Sequence, residues 1–287
     1  MSEKNIHSNN LNRDEEILFR KGKVAWEKSQ YEVWAELEKK ISTKPKAVVV
    51  SFRRRVLQWS VAAVLLLIVG LLGVVSNYSE TVISLPGEHK LALLPDGSSV
   101  EMNAESKLTY YPLKWCFERK LRFEGEAYFN VKKGKKFLVI SEYGTTQVLG
   151  TSFNIYSRDN QYRVTCLTGK VQVDTGKDDE VTLLPNNHAE LENGKLVVKA
   201  MFKPENAIGW KNNQFFFEGR PLKEVIDEIE RQYAVTIKLD PQLNNRNFGS
   251  NFSKKHSVEE VLEYVCRPMN LKFVKQSENV YLVVEKS

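Results

Sequence analysis

The chain has 287 residues, of which 42% are hydrophobic and 27% charged, with a net charge of +6. This balance excludes a collagen-like or low-complexity polymer and leaves room for one to two folded domains. Residues 1–55 hold 13 Lys/Arg against 8 Asp/Glu, while the rest is nearly neutral at 29 against 28. The basic excess therefore belongs to one tail, where membrane topology and anionic lipid explain it better than nucleic acid does.

Residues 1–12 are polar and Asn-rich, a composition that cannot bury enough apolar surface to order itself. From Asp14 the pattern predicts a helix. Asp14 is positioned to cap it, Glu15 and Glu16 favour the positive end of the helix dipole, and Ile17, Leu18, Val24 and Ala25 share a face. Gly22 weakens this helix by about 1 kcal/mol relative to alanine. A second run places Val33, Trp34, Leu37 and Ile41 at helical spacing and is followed by Pro45. Two such short helices cannot build their own core. Their apolar faces, with Phe19, Trp26 and Trp34 as aromatic anchors, need a partner protein or the inner leaflet of a membrane.

Val56 to Val75, VLQWSVAAVLLLIVGLLGVV, contains no charge over 20 residues. At about 1.5 Å per residue this length crosses a bilayer core of roughly 30 Å. A cleaved signal peptide would begin nearer the N-terminus, and a buried soluble helix would carry a polar stripe. Lys44, Lys46, Arg53, Arg54 and Arg55 precede the run, whereas no Lys or Arg follows it up to Glu88. The positive-inside rule puts the N-terminus in the cytoplasm. Trp59 and Tyr78 stand near the two edges, where amphipathic rings favour the interface.

Residues 82–200 read as short strands about ten residues apart: KLALL, SSVEMN, RKLRF, AYFNV, FLVISE, TTQVLG, SFNIYS, YRVTCL and VQVD. Pro95-Asp96-Gly97, Gly125-Glu126 and Thr168-Gly169 supply turns. Within AYFNV, Ala127, Phe129 and Val131 share one face. After Lys203-Pro204 the pattern alternates. Phe215–Phe217 is a strand, Pro221 opens a helix at its first position, and Leu222, Val225, Ile226 and Ile229 form that helix's apolar stripe. Ala234–Leu239 and 247–252 are strands. Ser257 and Glu260 make a capping box before a second helix, and Leu271–Val274 with Val280–Val284 form a hairpin. The expectation is two helices packed on one sheet.

The sequence thus predicts a multidomain α+β protein. It comprises a helical cytoplasmic tail (1–55), one transmembrane helix (56–76), an all-β domain of sandwich or solenoid-like form (80–200) and a small α+β domain (210–287). Cys116, Cys166 and Cys266 lack any zinc spacing and read as buried thiols, with one disulfide as the alternative. His7, His89, His188 and His256 are scattered without metal-ligand spacing, and no nucleophile elbow, P-loop or dinucleotide fingerprint occurs. Asp96, Glu124 and Glu126 read as turn residues. No catalytic, metal or cofactor site is expected.

In order, LPDGSSVEMNAESKLTYY, RKLRFEGEAYFNV, FLVISEYGTTQVLGTSFNIY, VTCLTGKVQV and LLPNNHAEL resemble the FecR family of transmembrane anti-sigma factors. WKNNQFFFEGRPLKEVIDEIERQYAVTI, from Trp210, is similar to the extra domain of Bacteroidetes-type members, which looks like the secretin/TonB short N-terminal fold. The resemblance implies that the tail binds an extracytoplasmic-function sigma factor. It also implies that the periplasmic portion receives a signal from the signalling domain of an outer-membrane TonB-dependent receptor. The setting would be the inner membrane, with no direct contact to nucleic acid. The helical reading then nominates Ile17, Leu18, Trp26, Val33, Trp34, Leu37 and Ile41 as the sigma-facing residues. The alternative is an anchored, β-rich envelope scaffold or adhesion module with a passive tail.

Overall fold

The computed structural model describes residues 27–42, 52–176, 179–201 and 203–286. The helix expected from Asp14, with Ile17, Leu18 and Trp26, lies outside these residues, as do Pro45 and His7. The chain divides into two units, residues 1–66 and 67–287.

In the first unit, helix α1 spans Gln30–Ser42. Helix α2, Phe52–Asn77, begins there and continues into the second unit. It outlasts the apolar run because the polar residues at both ends continue the helical backbone, and Asn77 returns an amide hydrogen bond to the Gly73 carbonyl at 2.8 Å.

The second unit is mostly β structure. Its first part holds β1 (Glu80–Ser84), β2 (Lys90–Leu93), β3 (Ser99–Met102), β4 (Ser106–Tyr110), β5 (Arg119–Asn130), β6 (Phe137–Ile140) and β7 (Thr145–Val148). It continues with β8 (Ser152–Arg158), β9 (Gln161–Cys166), β10 (Val171–Asp174), β11 (Glu180–Leu183), β12 (Asn187–Glu192) and β13 (Lys195–Ala200).

Strand β5 organises these thirteen. Its first half pairs with β4 and β6, its second half with β3 and β8. The 131–136 loop reaches back from Asn130 to Phe137, which lies beside Arg119. A straight 12-residue strand would extend about 40 Å, more than that loop can span at roughly 3.5 Å per residue. The strand therefore curls, and the sheet nearly closes on itself. Gly125 sits at the bend with φ +114°. A Cβ there would meet Ser106 Oγ at 2.3 Å, so only glycine fits. The sequence reading placed a turn at Glu124-Gly125-Glu126. The glycine signal was real, but it marks a bend inside one long strand.

The two halves enclose one core. Leu108, Phe137 and Val171 enter it from one side, Val100, Ile155 and Val164 from the other, and all are fully buried. Ala127, Phe129 and Val131 share the inner face as expected.

A 3-10 stretch, Pro204–Asn212, leads into β14 (Gln214–Pro221). Helix α3 (Leu222–Tyr233), β15 (Thr236–Leu239), β16 (Asn247–Ser253), α4 (Val258–Cys266), β17 (Leu271–Ser277) and β18 (Val280–Glu285) follow. The expected single sheet is in fact two: β14 with β16, and β15–β18–β17. Period and length signal a strand but not its neighbour, so the split was invisible in sequence. Pro221 is the residue before α3, one position earlier than expected. The first free helical N–H groups find other acceptors, Leu222 N–H donating to the Arg246 carbonyl at 2.7 Å. The Ser257–Glu260 capping box and the β17–β18 hairpin are both present. Leu222, Val225, Ile226 and Ile229 enter a second apolar core with Val261, Leu262 and Val283.

Candidate functional site

Two features stand out: an apolar helical face that no described residue covers, and a polar seam that is almost wholly buried. The first is α1. Ser29 caps it, accepting from the Glu32 N–H at 3.3 Å, while the Glu32 carboxylate accepts from the Ser29 N–H at 2.8 Å. This reciprocal pair satisfies two end donors, and Lys28 ties to Glu36 at 2.8 Å. No residue of α1 is buried. Trp34 is 64% exposed, Leu37 43% and Ile41 67%, and Val33 is half-buried. Four of the nominated residues thus share an open face; Ile17, Leu18 and Trp26 lie outside the described residues.

Among the described residues, α2 is the one helix long and apolar enough to cross a membrane, and its apolar window, Arg55–Val74, is not buried at all. Arg55 and Trp59 are exposed near its start, and Tyr78 just past its end. Arg53 and Arg54 belong to its first turn, with side chains outside the described set.

The second feature joins the outer face of β5, β8 and β9 to α3. On α3, Glu224, Glu228, Arg231 and Gln232 recur at i, i+4, i+7 and i+8, a polar stripe beside the apolar one. All four are buried. Glu228 accepts from Arg231 Nε at 3.1 Å and from Gln232 Nε2 at 2.8 Å. The Asn103 amide donates to both Glu228, at 3.3 Å, and Glu126, at 2.7 Å. Glu126 also accepts from Asn154 at 2.9 Å. Arg231 reaches Asp159 at 3.1 Å, and Arg158 donates to the Ala104 carbonyl at 3.0 Å. Arg163 lies 4.0 Å over the Tyr156 ring and pairs with Glu224 at 2.6 Å. His89 Nε2 donates to the Gln232 amide oxygen at 3.1 Å, and the ring packs edge-on against buried Trp210.

The two buried carboxyls are shifted in opposite directions. Burial, then the nearby Glu228, pushes Glu126 above the ordinary glutamate range. Burial would raise Glu228 too, but Arg231 and Arg158, with hydrogen bonds from Gln232 and Arg231, outweigh it and hold Glu228 low. The Asn103 amide bridges the two carboxyls. Burial likewise lowers the affinity of His89 and His188 for a proton.

Glu126 is therefore no turn residue. The even-numbered side chains of β5 point away from the β core, and the C-terminal elements cover Glu126 and Tyr128 among them. Glu124 is exposed, and Asp96 does sit in its turn, accepting from the Ser98 N–H at 3.0 Å. Asp96 also pairs with Arg119 at 2.8 Å. Beside the seam lies a cleft of about 990 Å³, bordered by Arg163, Glu190, Trp210, Arg220 and Glu224. Burial would raise Glu190, but Arg220, which donates to it, and Arg163 and Lys199 hold it low.

Among the described residues no group of His, Cys, Asp and Glu could hold a metal ion. All three cysteines are free; Cys166 and Cys266 are buried, and burial raises their thiols to about 11 and about 12. Cys116 departs from the expectation and is exposed, because its neighbour Trp115 takes the inward position. The seam was missed in the sequence. Its one readable signal was the second helical stripe on α3.

Comparison with known proteins bears on the same region. The family model described as "FecR protein" matches residues 80–172, and that described as "FecR, C-terminal" matches residues 214–283. Two crystal structures of a candidate anti-sigma factor from Parabacteroides distasonis ATCC 8503, at 2.50 and 1.65 Å resolution, superpose with TM-scores of 0.68 and 0.67. Both are 29% identical; they cover 73% and 72% of this chain and 100% of their own. No curated protein matches the chain. With both family models matched in order across the β body and the C-terminal elements, the chain belongs to the FecR family.

Proposed function

We propose that this protein is a single-pass anti-sigma factor of the inner membrane. Residues 1–55 form a cytoplasmic domain that holds an extracytoplasmic-function sigma factor, and 56–76 cross the bilayer. The FecR-like domain (80–200) and the α+β domain (210–287) stand in the periplasm, where the signalling domain of a TonB-dependent outer-membrane receptor engages them. Family membership and the Parabacteroides relatives support the regulatory class. The basic flank of α2 before Val56, set against the uncharged-to-acidic flank after it, supports the orientation.

The observation that carries the reading is the open face of α1. A capped, amphipathic helix with Trp34, Leu37 and Ile41 exposed is suited to a groove on another protein. On this reading no chemistry is performed, and the protein acts by sequestering and releasing its partner. A coupling of about 1–3 kcal/mol between the two sides of the membrane would suffice. The test is to co-purify the full chain with the sigma factor encoded beside its gene and to read transcription from a reporter. The expected result is a complex that Trp34→Ala with Leu37→Ala weakens. No complex, together with a reporter indifferent to deletion of residues 1–45, would favour the passive-tail scaffold instead.

A further inference from the structure

One end of the β body carries a surface that the seam does not use. Helix α2 ends at Asn77 and β1 begins at Glu80, so at most about 10 Å of extended chain separates them. Glu80 lies opposite Tyr110 in register, and the Tyr110 hydroxyl donates to its carboxylate at 2.7 Å. The 111–118 loop starts immediately beyond. Its Trp115 is buried and packs edge-on against Tyr110 and Phe137, with ring centroids 5.5 and 5.7 Å away. That anchor fixes the loop, yet Leu113 is 44% exposed and Phe117 81%.

Strand register brings more of the same chemistry to this end. Phe137 is paired with Val148, and Val171 with Leu183. Leu149 and Leu184, the residues that follow those strands, are exposed too. The Lys-Lys-Gly-Lys-Lys loop at 132–136 leads into Phe137 with every residue exposed, and its Gly134 N–H donates to the Leu149 carbonyl at 2.8 Å. The exposed acid Glu118 is offset by Lys120 at 3.6 Å.

Apolar tips ringed by lysines, on the rim that receives the chain from an apolar helix, match anionic phospholipid headgroups. The tips enter the interface and the ammonium groups meet phosphates. We propose that this rim rests on the anionic bilayer crossed by α2, with Phe117 and Leu113 inserted and the 132–136 lysines on the headgroups. The inference rests on the membrane-spanning reading above.

Cys116 gives a direct probe, being exposed while Cys166 and Cys266 are buried. The full chain, labelled there with a thiol-directed fluorophore, is reconstituted into phosphatidylcholine vesicles with or without phosphatidylglycerol. In the anionic vesicles a lipid-borne nitroxide should quench the label. Combined Lys132→Glu, Lys133→Glu, Lys135→Glu and Lys136→Glu should weaken tip association by roughly tenfold or more. Phe117→Ser, a surface change that leaves Trp115 in place, should also reduce quenching. Absent quenching overturns the proposal. So does quenching that survives either the neutral lipid or the charge reversal, since proximity would then follow from the tether alone. Release of the chain by alkaline carbonate overturns the span and the rim together, whereas a retained chain with an unquenched label overturns the rim alone.

Discussion

Helices α1 and α3 are of nearly equal length, 13 and 12 residues, and both are amphipathic. Helix α1 buries nothing, whereas α3 buries Leu222, Val225, Ile226 and Ile229 on one side and Glu224, Glu228, Arg231 and Gln232 on the other. Helices this short are marginal on their own, so something beyond propensity must hold each. For α3 it is packing on two faces, an apolar core and a polar seam. For α1 it is local chemistry, the Ser29–Glu32 pair and the Lys28–Glu36 bridge. The same sequence device, an apolar stripe, thus serves stability in one helix and, among the described residues, stays exposed in the other.

The seam is the sharpest place to break the comparison. Arg231→Ala leaves Glu228 buried without its principal counter-charge, and removing one partner of a buried pair costs about 3–5 kcal/mol. Ile226→Ala, on the other face of the same helix, should cost about 2–5 kcal/mol through lost burial and a cavity. Urea unfolding of the region after α2 measures both. If Arg231→Ala cost less than about 1 kcal/mol, the seam would have to be wetter than its burial implies, and α3 would be held by one face only.

The paired carboxyls add a pH signature of intermediate size. Glu126 is raised above its unfolded value of 4.5, so the folded state binds more protons in the window above that value. Stability from this group is therefore complete below pH 4.5 and lost as pH rises through the folded value. Glu228 has the opposite sign, its contribution present above 4.5 and lost on acidification. Glu126→Gln keeps the side-chain size, gives up one of the two hydrogen bonds from Asn103 and Asn154, and removes one titration. Melting temperature against pH should lose its decline above pH 4.5 in the variant and keep its acid limb. A decline unchanged in Glu126→Gln would assign it to another group.

Much of this was readable in advance. The long apolar helix α2, the inward alternation of Ala127, Phe129 and Val131, the apolar stripe of α3 and the Ser257–Glu260 cap all follow from period, length and cap chemistry. Those signals are local, and burial obeys them wherever one face meets one core. The seam failed for a physical reason. Glu126 occupies an outward position on β5, where a charged residue is what a solvated strand face would carry. Only the fold reveals that α3 covers that face. Polar residues at outward positions look alike whether water or another helix meets them. The two-sheet split of the C-terminal elements was hidden similarly, because pairing is a property of partners.

The smallest expected change in stability, and the most informative for function, falls on α1. Trp34→Ala and Leu37→Ala remove exposed side chains that touch no core, so unfolding of the folded regions should shift by no more than about 0.5 kcal/mol. If the open face is a docking surface, those substitutions should nonetheless cost sigma-factor capture more than any seam variant that still folds, since Trp anchors dominate such interfaces. Ser29→Ala separates shape from contact. It leaves the apolar face untouched and removes a cap worth about 1 kcal/mol of helix, so capture should weaken only through the added ordering of α1 on binding. Equal loss in Ser29→Ala and Trp34→Ala would mean that helix formation, rather than the tryptophan contact, limits the interaction. Loss in neither would return α1 to a passive role and leave the open face without a protein partner.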